Sequence, residues 1–388
     1  MIAPYFFFII TWCLFLFFTF KAIKNLKSLE NFPQIPIGDL PSLSVVLAVK
    51  DEEEEIENTL LSILNTGYEN LEVIVVNDRS TDNTQKIINS VQGKYPNLKT
   101  INIDKLPKGW LGKVHALDNG VRLANGEFIL FTDGDVEINL EVLKSSLSIC
   151  VENKLDHLTI IPNIPCPTFF LRLLILTSKL LFTLSSKPWL PIEKKPLNTI
   201  VGIGPFNLIR NSYFKKTQGF EWLKMDVADD VALSRLIAKD GGRSLYIQAA
   251  PYGPHFPWYK DAIHMMQGLE KNIVGGFANY RLSLVIIISF FALSSFLIPL
   301  AALLNSNPIV FSIGFLTFVF NFIFALKIKR HFPFNAFTCF LFPLGIFLLG
   351  LILLRSAFIC FKNGGIYWSG TFYTLKDLKE GTRVKLGL

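Results

Sequence analysis

The sequence predicts an α/β fold with a mostly parallel sheet, flanked at both ends by apolar helices. Short β-branched runs alternate with segments of helical spacing between residues 43 and 135. Apolar residues make up 51% of the 388-residue chain, which includes 36 phenylalanines, and they concentrate at residues 4–20 and 282–361. Acidic residues follow the predicted strands at their carboxyl ends. These three observations indicate a catalytic or binding domain that is attached to a membrane.

The strands of this domain are continuous apolar runs, as expected when both faces of a parallel sheet are covered. Each run is followed by a stretch with the apolar spacing of a helix, such as IENTLLSIL after the first run and TQKIINSV after the second. The predicted strands lie at 43–49, 71–78, 98–103 and 126–132. This alternation is typical of a doubly wound sheet.

Four aspartates follow the carboxyl ends of these strands. Asp51 and Asp78 follow the first two strands, and Asp133 and Asp135 follow the fourth in the sequence FTDGDVEI. Asp-Gly-Asp is by itself an ordinary turn sequence. In open α/β sheets, however, ligands bind outside the carboxyl ends of the strands. The common placement therefore favours a functional site over separate turns.

The first 27 residues are predicted to be a transmembrane anchor. The run PYFFFIITWCLFLFFTF lacks a basic region before it and a small-residue cleavage site after it, so an uncleaved helix is favoured over a signal peptide. Lys21, Lys24 and Lys27 follow the run and predict that its carboxyl end is cytoplasmic.

A catalytic domain at 40–280 and membrane helices at 282–361 complete the prediction, with a cytosolic tail at 362–388. Within the domain, residues 168–186 are apolar but contain Arg172 and Lys179, which predicts a helix in the membrane interface, with a buried helix as the alternative.

Three candidate spans lie at 283–303, 308–326 and 334–354. A third full crossing would place the basic tail outside, against the charge rule. A re-entrant helix broken near Pro343 and Gly345 would keep it inside.

Charge and cysteine content restrict the partners. The net charge of +7 suggests an anionic partner, yet no lysine- and arginine-rich block indicates nucleic acid. Basic residues lie instead beside the apolar runs. The five cysteines show no metal-like spacing, and a disulfide framework is not expected. A multi-pass membrane protein with its domain in the cytoplasm, at the plasma membrane in a bacterium, fits this composition.

The ordered set of motifs resembles the membrane-bound, inverting family-two glycosyltransferases of GT-A fold. The matching stretches are AVKDEEEEIENTLLSIL, VIVVNDRSTDNT, PKGWLGKVHAL, GEFILFTDGD and MDVADDVALSRLIAKDGGR, within about residues 43–280. The combination of GWLGK with a later Asp-Asp-x-x-Leu-x-Arg looks most like hopanoid-associated and carotenoid (diaponeurosporenoate-type) enzymes and, more distantly, ceramide glucosyltransferase.

The resemblance implies a divalent cation, Mg²⁺ or Mn²⁺, that stabilises a departing diphosphate. Carboxylate oxygens are the ligands that such hard cations prefer. By resemblance, Asp135 contacts the metal and Asp133 assists it or lies near the ribose. His255 and His264 are alternatives that could complete a metal site, but a core or surface role is favoured for each.

The nucleotide sugar is expected at the acids of the first two strand ends. Asp78 resembles the aspartate that recognises uracil, and Asp51 to Glu53 resemble the loop that contacts base and ribose, which implies a UDP-hexose. Asn77 and Arg79 depart from the family pattern, and Arg79 is expected to alter the nucleotide preference. Lys113 lies between a glycine and a helix start, where a cation suits diphosphate binding.

The acceptor side is expected around Gly204 and Asp229. Inversion by direct displacement needs a general base. The family supplies it from the second member of an acidic pair, which corresponds to Asp230, with Asp229 in place of the usual glutamate. The alternative is that these two acids only stabilise a helix N-terminus.

The predicted function is transfer of a single sugar to a membrane lipid. The chain lacks the Gln-x-x-Arg-Trp motif of polymer synthases, and Thr371 replaces the arginine of a related C-terminal motif. A polyprenyl-phosphate carrier or short glycan as acceptor is the alternative enzyme reading. A non-catalytic membrane scaffold that retains the fold is the alternative of another class.

Overall fold

The chain forms two compact units, which are described in turn. The computed structural model describes residues 2–33, 35–249, 251 and 253–383. The sheet unit contains residues 27–165, 190–258 and 367–388, and the helical unit contains residues 1–26, 166–189 and 259–366.

This division differs from the predicted domains in three places. The segment 168–186 and the residues 259–280 belong to the helical unit, whereas the described part of the tail from 367 to 383 belongs to the sheet unit. The last part of the predicted tail, which includes Lys385, lies outside the described residues.

The sheet unit contains a seven-stranded sheet in the order β3-β2-β1-β4-β6-β5-β7. Its strands are β1 Leu43–Val49, β2 Leu71–Asp78, β3 Leu98–Ile103, β4 Phe128–Thr132, β5 His157–Ile161, β6 Asn207–Arg210 and β7 Ser244–Gln248. Only β6 runs against its neighbours; every other pair is parallel. The predicted mostly parallel sheet and its first four strands are confirmed, whereas β5 and β7 were not predicted. A separate hairpin joins β8 Gly365–Trp368 to β9 Thr371–Thr374.

The helices connect these strands and build the second unit. In chain order they are α1 Ala3–Asn25, α2 Ile56–Leu64, α3 Thr84–Gln92, α4 Gly112–Val121, α5 Leu140–Glu152, α6 Phe169–Ser185, α7 Asn211–Phe214, α8 Gly219–Leu223, α9 Asp229–Lys239, α10 Ala262–Leu269, α11 Ile273–Ala278, α12 Leu282–Leu303, α13 Pro308–Ile328, α14 Ala336–Phe340, α15 Phe342–Asn363 and α16 Leu375–Gly381. Helices α2 to α5, α7 to α9 and α16 belong to the sheet unit, and the others to the helical unit.

The central strands are apolar along their whole length because helices cover both faces of the sheet. Six of the seven residues of β1 are buried, and all five of β4 are buried. Gly120 of α4 lies so close to the sheet that a Cβ there would stand 2.5 Å from a methyl carbon of Val46. A glycine is therefore needed for this close helix–sheet approach.

The strand register brings the predicted site residues to one edge of the sheet. Val49 is paired with Asn77, and Leu47 is paired with Thr132, so the ends of β1, β2 and β4 coincide. Because β6 is antiparallel, with Asn207 paired to Phe131, the loop that precedes β6 also arrives at this edge. The sheet topology thus places residues from four separate chain segments side by side.

The helical unit contains four helices that are long and apolar enough to cross a membrane by length and composition. They are α1, α12, α13 and α15, with mean hydropathy between 2.2 and 2.5 over the best window. Helix α6 belongs to the same unit and is buried over most of its circumference, including the consecutive residues from Leu173 to Thr177. Whether the segment 168–186 lies in the membrane interface or is a buried helix stays a prediction.

The direction of α15 bears on the number of membrane crossings. Gly350 of α15 lies against Ala292 of α12, and Ser295 Oγ donates to the Pro343 carbonyl oxygen at 3.3 Å, so the two helices are antiparallel. Phe342 at the start of α15 contacts Phe324, which lies shortly before the end of α13.

Helix α15 therefore begins partway along the bundle and runs in the same direction as α13. Leu341 separates it from α14, immediately before Pro343. Because α15 is also long and apolar enough to cross a membrane, the re-entrant course and the full crossing both stay predictions.

Candidate active site

Asp133 lies directly after β4 and is paired with a lysine from the start of α4. The Nζ atom of Lys113 lies 2.6 Å from Asp133 Oδ1 and 3.7 Å from Asp229 Oδ2. The side chains of Lys113 and Asp133 are each 24% exposed. Lys113 thus connects the acids after β4 with the acids at the start of α9.

Asp229 and Asp230 are the first two residues of α9. The residue that caps this helix is Ala228, so neither aspartate is the capping residue. Asp230 accepts two backbone hydrogen bonds: Gly204 N–H donates to Oδ2 at 2.9 Å, and Val231 N–H donates to Oδ1 at 2.8 Å. These bonds fix the carboxylate while each oxygen keeps a second lone pair for another proton donor.

The loop before β6 can reach these acids because it contains glycines. A Cβ on Gly204 would stand 2.8 Å from Asp133 Oδ2, and a Cβ on Gly202 would stand 2.0 Å from the Asp230 carbonyl oxygen. Any larger residue would push the loop away from both acids. The result is a shallow cleft that is lined among others by Lys113, Asp133, Gly204, Asp229 and Asp230.

A cluster of buried polar side chains contacts the first turn of α9. His157 Nε2 lies 3.0 Å from Asn207 Oδ1, and Nδ1 lies 2.6 Å from Ser244 Oγ. Burial lowers the pKa of His157 to about 4, so the ring is neutral at pH 7. Ser234 Oγ contacts this ring and donates to the Asp230 carbonyl oxygen at 2.8 Å. Sequence reasoning missed this group, since His157 is isolated in a short apolar run.

The electrostatics of the cleft favour proton transfer and cation binding. Burial, together with Asp229, raises the pKa of Asp230 to about 7, while Lys113 opposes the rise. Burial, with Asp133 and Glu52, raises the pKa of Asp135 to about 8. Burial disfavours the charged form of Lys113, but Asp133 and Asp229 outweigh it and the pKa of the ammonium is raised.

The donor set after β4 fits a hard divalent cation bound jointly with phosphate. Asp133 and Asp135 provide carboxylate oxygens. Burial raises the pKa of Asp135 most, and the negative charges of Asp133 and Glu52, which a cation would offset, add to the rise. Among the described residues, no cluster of three or more His, Cys, Asp or Glu side chains could hold a metal by itself. Further ligands would have to come from a bound diphosphate.

Glu52 is a further acid near Asp135 that the sequence did not single out. Its Cγ lies 3.4 Å from where a Cβ on Gly134 would stand, and it contributes to the raised pKa of Asp135. Its only signal in the sequence was its place between Asp51 and Glu53, in the stretch that resembles the loop contacting base and ribose.

The acids after β1 accept hydrogen bonds from other residues of the protein. Asp51 Oδ1 accepts from the backbone N–H of Thr81 at 2.7 Å. Glu53 Oε2 accepts from the backbone N–H and the side-chain amide of Asn83 at 2.9 and 2.7 Å. Both acids therefore tie the loop after β1 to the loop after β2.

Asp78, the predicted base-reading residue, is also occupied. Arg79 donates to both of its oxygens, from Nε at 2.7 Å and from Nη2 at 2.9 Å. Asn77 is buried, and its side-chain amide donates to Gln85 and Asn102. Asn77 and Arg79, the two residues that depart from the family pattern, thus both make side-chain hydrogen bonds at this edge of the sheet.

The C-terminal hairpin supplies site neighbours that the sequence did not assign. The hydroxyl of Tyr373 accepts a hydrogen bond from Gly112 N–H at 3.2 Å, and Lys50 Nζ donates to the Ser369 carbonyl oxygen at 2.5 Å. Ser369 and Gly370 have φ angles of 46° and 73°, which fits a type I′ turn. Downstream, Arg383 N–H donates to Asp226, shortly before α9. The tail therefore packs onto the sheet unit in two places. One is beside the predicted nucleotide site at Gly112, and the other is just before α9, which contains the predicted general base Asp230.

The two histidines that were alternatives for the metal site lie elsewhere. The backbone of His255 exchanges two hydrogen bonds with Glu137, and its side chain is exposed. His264 lies in α10 of the helical unit, next to the helix-capping Asp261. Neither belongs to a described metal cluster.

The fold and the site define a class of protein. The mostly parallel seven-stranded sheet is a GT-A-like fold, and residues 44–217 match the family Glycosyl transferase family 2. Over these residues the chain is therefore similar to the Glycosyl transferase family 2 proteins. The match spans the strands β1 to β6, and with them Asp51, Asp78, Asp133 and Gly204, but ends before α9.

Similar proteins agree with this class. The chain is 39% identical over 99 residues to "Probable glycosyltransferase YdaM" of Bacillus subtilis (strain 168) and 32% identical over 112 residues to "Poly-beta-1,6-N-acetyl-D-glucosamine synthase" of Staphylococcus aureus (strain COL). These matches cover 25% and 29% of this chain and span only 23% and 26% of the relatives. A solved structure, "Mannosyltransferase PcManGT from Pyrobaculum calidifontis in complex with GDP-Man and Mn2+", aligns with 92% of this chain and 98% of its own, at a TM-score of 0.57 and 16% identity. This likeness concerns the fold.

Proposed function

We propose that this protein is an inverting glycosyltransferase that moves one sugar from a nucleoside-diphosphate sugar to a membrane lipid. The observation that supports it most is the position of Asp230. Its carboxylate is fixed by Gly204 and Val231, has a raised pKa, and lies in the same cleft as the Lys113–Asp133 pair. A base and a diphosphate-binding cation are the two protein groups that direct sugar transfer requires.

Asp230 acts as the general base in the proposed reaction. Its carboxylate takes the proton of the acceptor hydroxyl while the acceptor oxygen attacks the anomeric carbon. The bond between that carbon and the diphosphate oxygen breaks, the electron pair leaves with the diphosphate, and the configuration inverts. A pKa near 7 suits a base that works at neutral pH.

The diphosphate is held on the other side of the cleft. Lys113 is charged and lies at the start of α4, where the helix N-terminus also favours an anion. Asp133 and Asp135 would hold Mg²⁺ or Mn²⁺. When bound, the cation acts as a Lewis acid that stabilises the charge of the departing diphosphate. On binding of the nucleotide, Lys113 would either leave Asp133 to contact the phosphates or contact Asp133 and the phosphates together.

A lipid acceptor is supported by the helical unit. Four of its helices are long and apolar enough to cross a membrane. Lys21, Lys24 and Lys27 at the end of α1 predict that the sheet unit, which starts at residue 27, is cytoplasmic. The absence of a Gln-x-x-Arg-Trp sequence supports the addition of one sugar rather than a polymer.

The test is to incubate membranes containing the protein with a panel of radiolabelled nucleotide sugars and to extract the lipids. We expect one labelled sugar to appear on an extractable lipid, and no label in membranes that contain the Asp230→Asn variant. Label on a polyprenyl-phosphate carrier or a water-soluble glycan would select the alternative acceptor. If neither the protein nor its variant transfers label and no nucleotide binds in calorimetry, the protein is a scaffold.

A further inference from the structure

The residue that follows β2 covers the carboxylate expected to read the nucleotide base. Asp78 is 3% exposed, and both of its oxygens accept hydrogen bonds from the guanidinium of Arg79, at 2.7 and 2.9 Å. A bidentate arginine–carboxylate pair is among the strong hydrogen-bonded arrangements in proteins. A nucleotide base that approaches the end of β2 would contact Arg79 before it could contact Asp78.

The backbone holds Arg79 in this position. Its φ angle is 59°, in the left-handed region, which turns the side chain back over Asp78. The backbone of Gly112 closes the opposite side: a Cβ there would stand 2.2 Å from Asp78 Oδ2 and 2.8 Å from Arg79 Nη2. The side chain of Asp78 is 5% exposed and that of Arg79 is 22% exposed, so the guanidinium is the accessible partner.

Because Arg79 covers Asp78, a ligand at the end of β2 meets hydrogen-bond donors where an uncovered carboxylate would present acceptors. A carboxylate accepts hydrogen bonds and therefore suits the N3–H of uracil. A guanidinium has five N–H donors and no acceptor. Two of these donors face Asp78, and the others remain for a ligand. Uracil facing it would leave N3–H without an acceptor, which costs binding free energy.

Bases that present two adjacent acceptors fit a guanidinium. Guanine offers O6 and N7, which is the most common base contact of arginine. Cytosine offers O2 and N3. Adenine offers N7 next to an amino group, so it supplies only one acceptor at that edge.

We propose that Arg79, rather than Asp78, reads the nucleotide base, and that the sugar donor carries a base with two adjacent acceptors. The chemistry is shared by guanine and cytosine. It departs from the UDP-sugar that the resemblance implies, and it rests on the proposed function because it concerns the nucleotide site of that reaction. Arg79 is thus a specificity-determining residue.

The test measures the affinities of GDP, CDP, UDP and ADP for the purified full-length protein by calorimetry in the presence of Mn²⁺. We expect GDP or CDP to bind about tenfold more tightly than UDP and ADP, as one bidentate base contact provides. The comparison of GDP with CDP identifies the base. UDP binding more tightly than both GDP and CDP overturns the inference and leaves the proposed function intact. No binding of any nucleotide overturns the proposed function, and the inference with it.

Two variants examine Arg79 directly. Arg79→Gly suits the left-handed backbone and exposes the Asp78 carboxylate, so the preference should reverse toward UDP. Arg79→Lys keeps the positive charge but loses the two-pronged donor geometry, so the preference for GDP or CDP should fall to less than about threefold. An unchanged preference in a folded Arg79→Gly variant overturns the inference. If that variant does not fold, as judged by thermal unfolding, the wild-type panel and Arg79→Lys still decide.

Discussion

The acids at the carboxyl edge of the sheet form two groups with different surroundings. Asp51 and Glu53 each accept two hydrogen bonds from the loop after β2, and Asp78 accepts two from the adjacent Arg79. Asp135 and Asp230 lie among other carboxylates, and burial together with those neighbours raises their pKa values to about 8 and 7. The carboxylates of the first group are paired with donors and are not crowded by other acids. Those of the second group are crowded by like charges that a cation or a proton would offset, although Asp230 also accepts two backbone hydrogen bonds.

This difference separates structural from chemical roles for one residue type. A carboxylate with partners in its own chain fixes a loop, and its loss is felt as stability. A carboxylate crowded by like charges is poised for chemistry, and its loss is felt as activity. The predictions below test this separation, from the largest expected effect to the smallest.

Asp230→Asn should lower kcat about a thousandfold, because a general base contributes roughly 10² to 10⁴ in rate. The amide retains an oxygen that can accept from Gly204 N–H, so the loop should stay in place. Single-turnover transfer and nucleotide calorimetry measure the two quantities. Full activity in this variant would remove Asp230 from the role of base.

Asp135→Asn should lower the rate about a hundredfold and weaken Mn²⁺-dependent nucleotide binding, since a metal contributes several kcal/mol to the stabilisation of a leaving group. The matched control is Asp104→Asn, an exposed acid just after β3 at the same edge of the sheet. The control should leave metal-dependent binding unchanged. Equal losses in both variants would argue for a general charge effect instead of a metal site.

Removal of the Lys113 cation should lower kcat at pH 7 by more than about tenfold and move the pH midpoint upward. Lys113 favours the ionised form of Asp230, so Lys113→Met should raise the pKa of that carboxyl further. Lys113→Arg keeps the charge and should retain a midpoint near that of the wild type. A pH–rate profile for the three proteins provides the measurement, and an unmoved midpoint in Lys113→Met would contradict the coupling.

The wild-type rate should rise with pH through about 7. A general base works in its ionised form, and the pKa of Asp230 is raised to about 7. Below this value the carboxyl is protonated and inactive, and above it the rate should level off, a gain of roughly tenfold between pH 6 and pH 8. A rate that is flat down to pH 5 would show that no group with a raised pKa controls the reaction.

Asp51→Asn should leave kcat within about twofold of the wild type and lower the free energy of unfolding by about 1 kcal/mol. The change weakens a charged hydrogen bond to the Thr81 backbone, while asparagine still tolerates the left-handed φ of 54°. Thermal unfolding and steady-state kinetics check both values. A tenfold loss of nucleotide affinity at unchanged stability would place Asp51 among the ligand contacts.

Much of the sheet could be predicted because its strands are buried on both faces. A continuous apolar run such as 43–49 identifies a strand without knowledge of its neighbours. The short strands β5 and β7 were missed. His157 and Ser244 are polar residues in these strands, and their burial depends on the pairing that places them in contact.

The placement of the acids at strand ends was also predictable, since parallel strands share one carboxyl edge. The proximity of Gly204 and Asp230 to Asp133 depended on more than local pattern. It required the reversed direction of β6 and the position of α9, which long-range packing sets.

The sequence by itself determined the strand–helix alternation, the apolar helices at both ends and the acids at the edge of the sheet. These features follow from local periodicity and residue type. Only the tertiary structure decided that Asp78 is covered by Arg79, that Tyr373 from the tail contacts Gly112, and that burial raises the pKa of Asp230. Each of these depends on which groups the folded chain brings together and removes from water, and periodicity carries no such information.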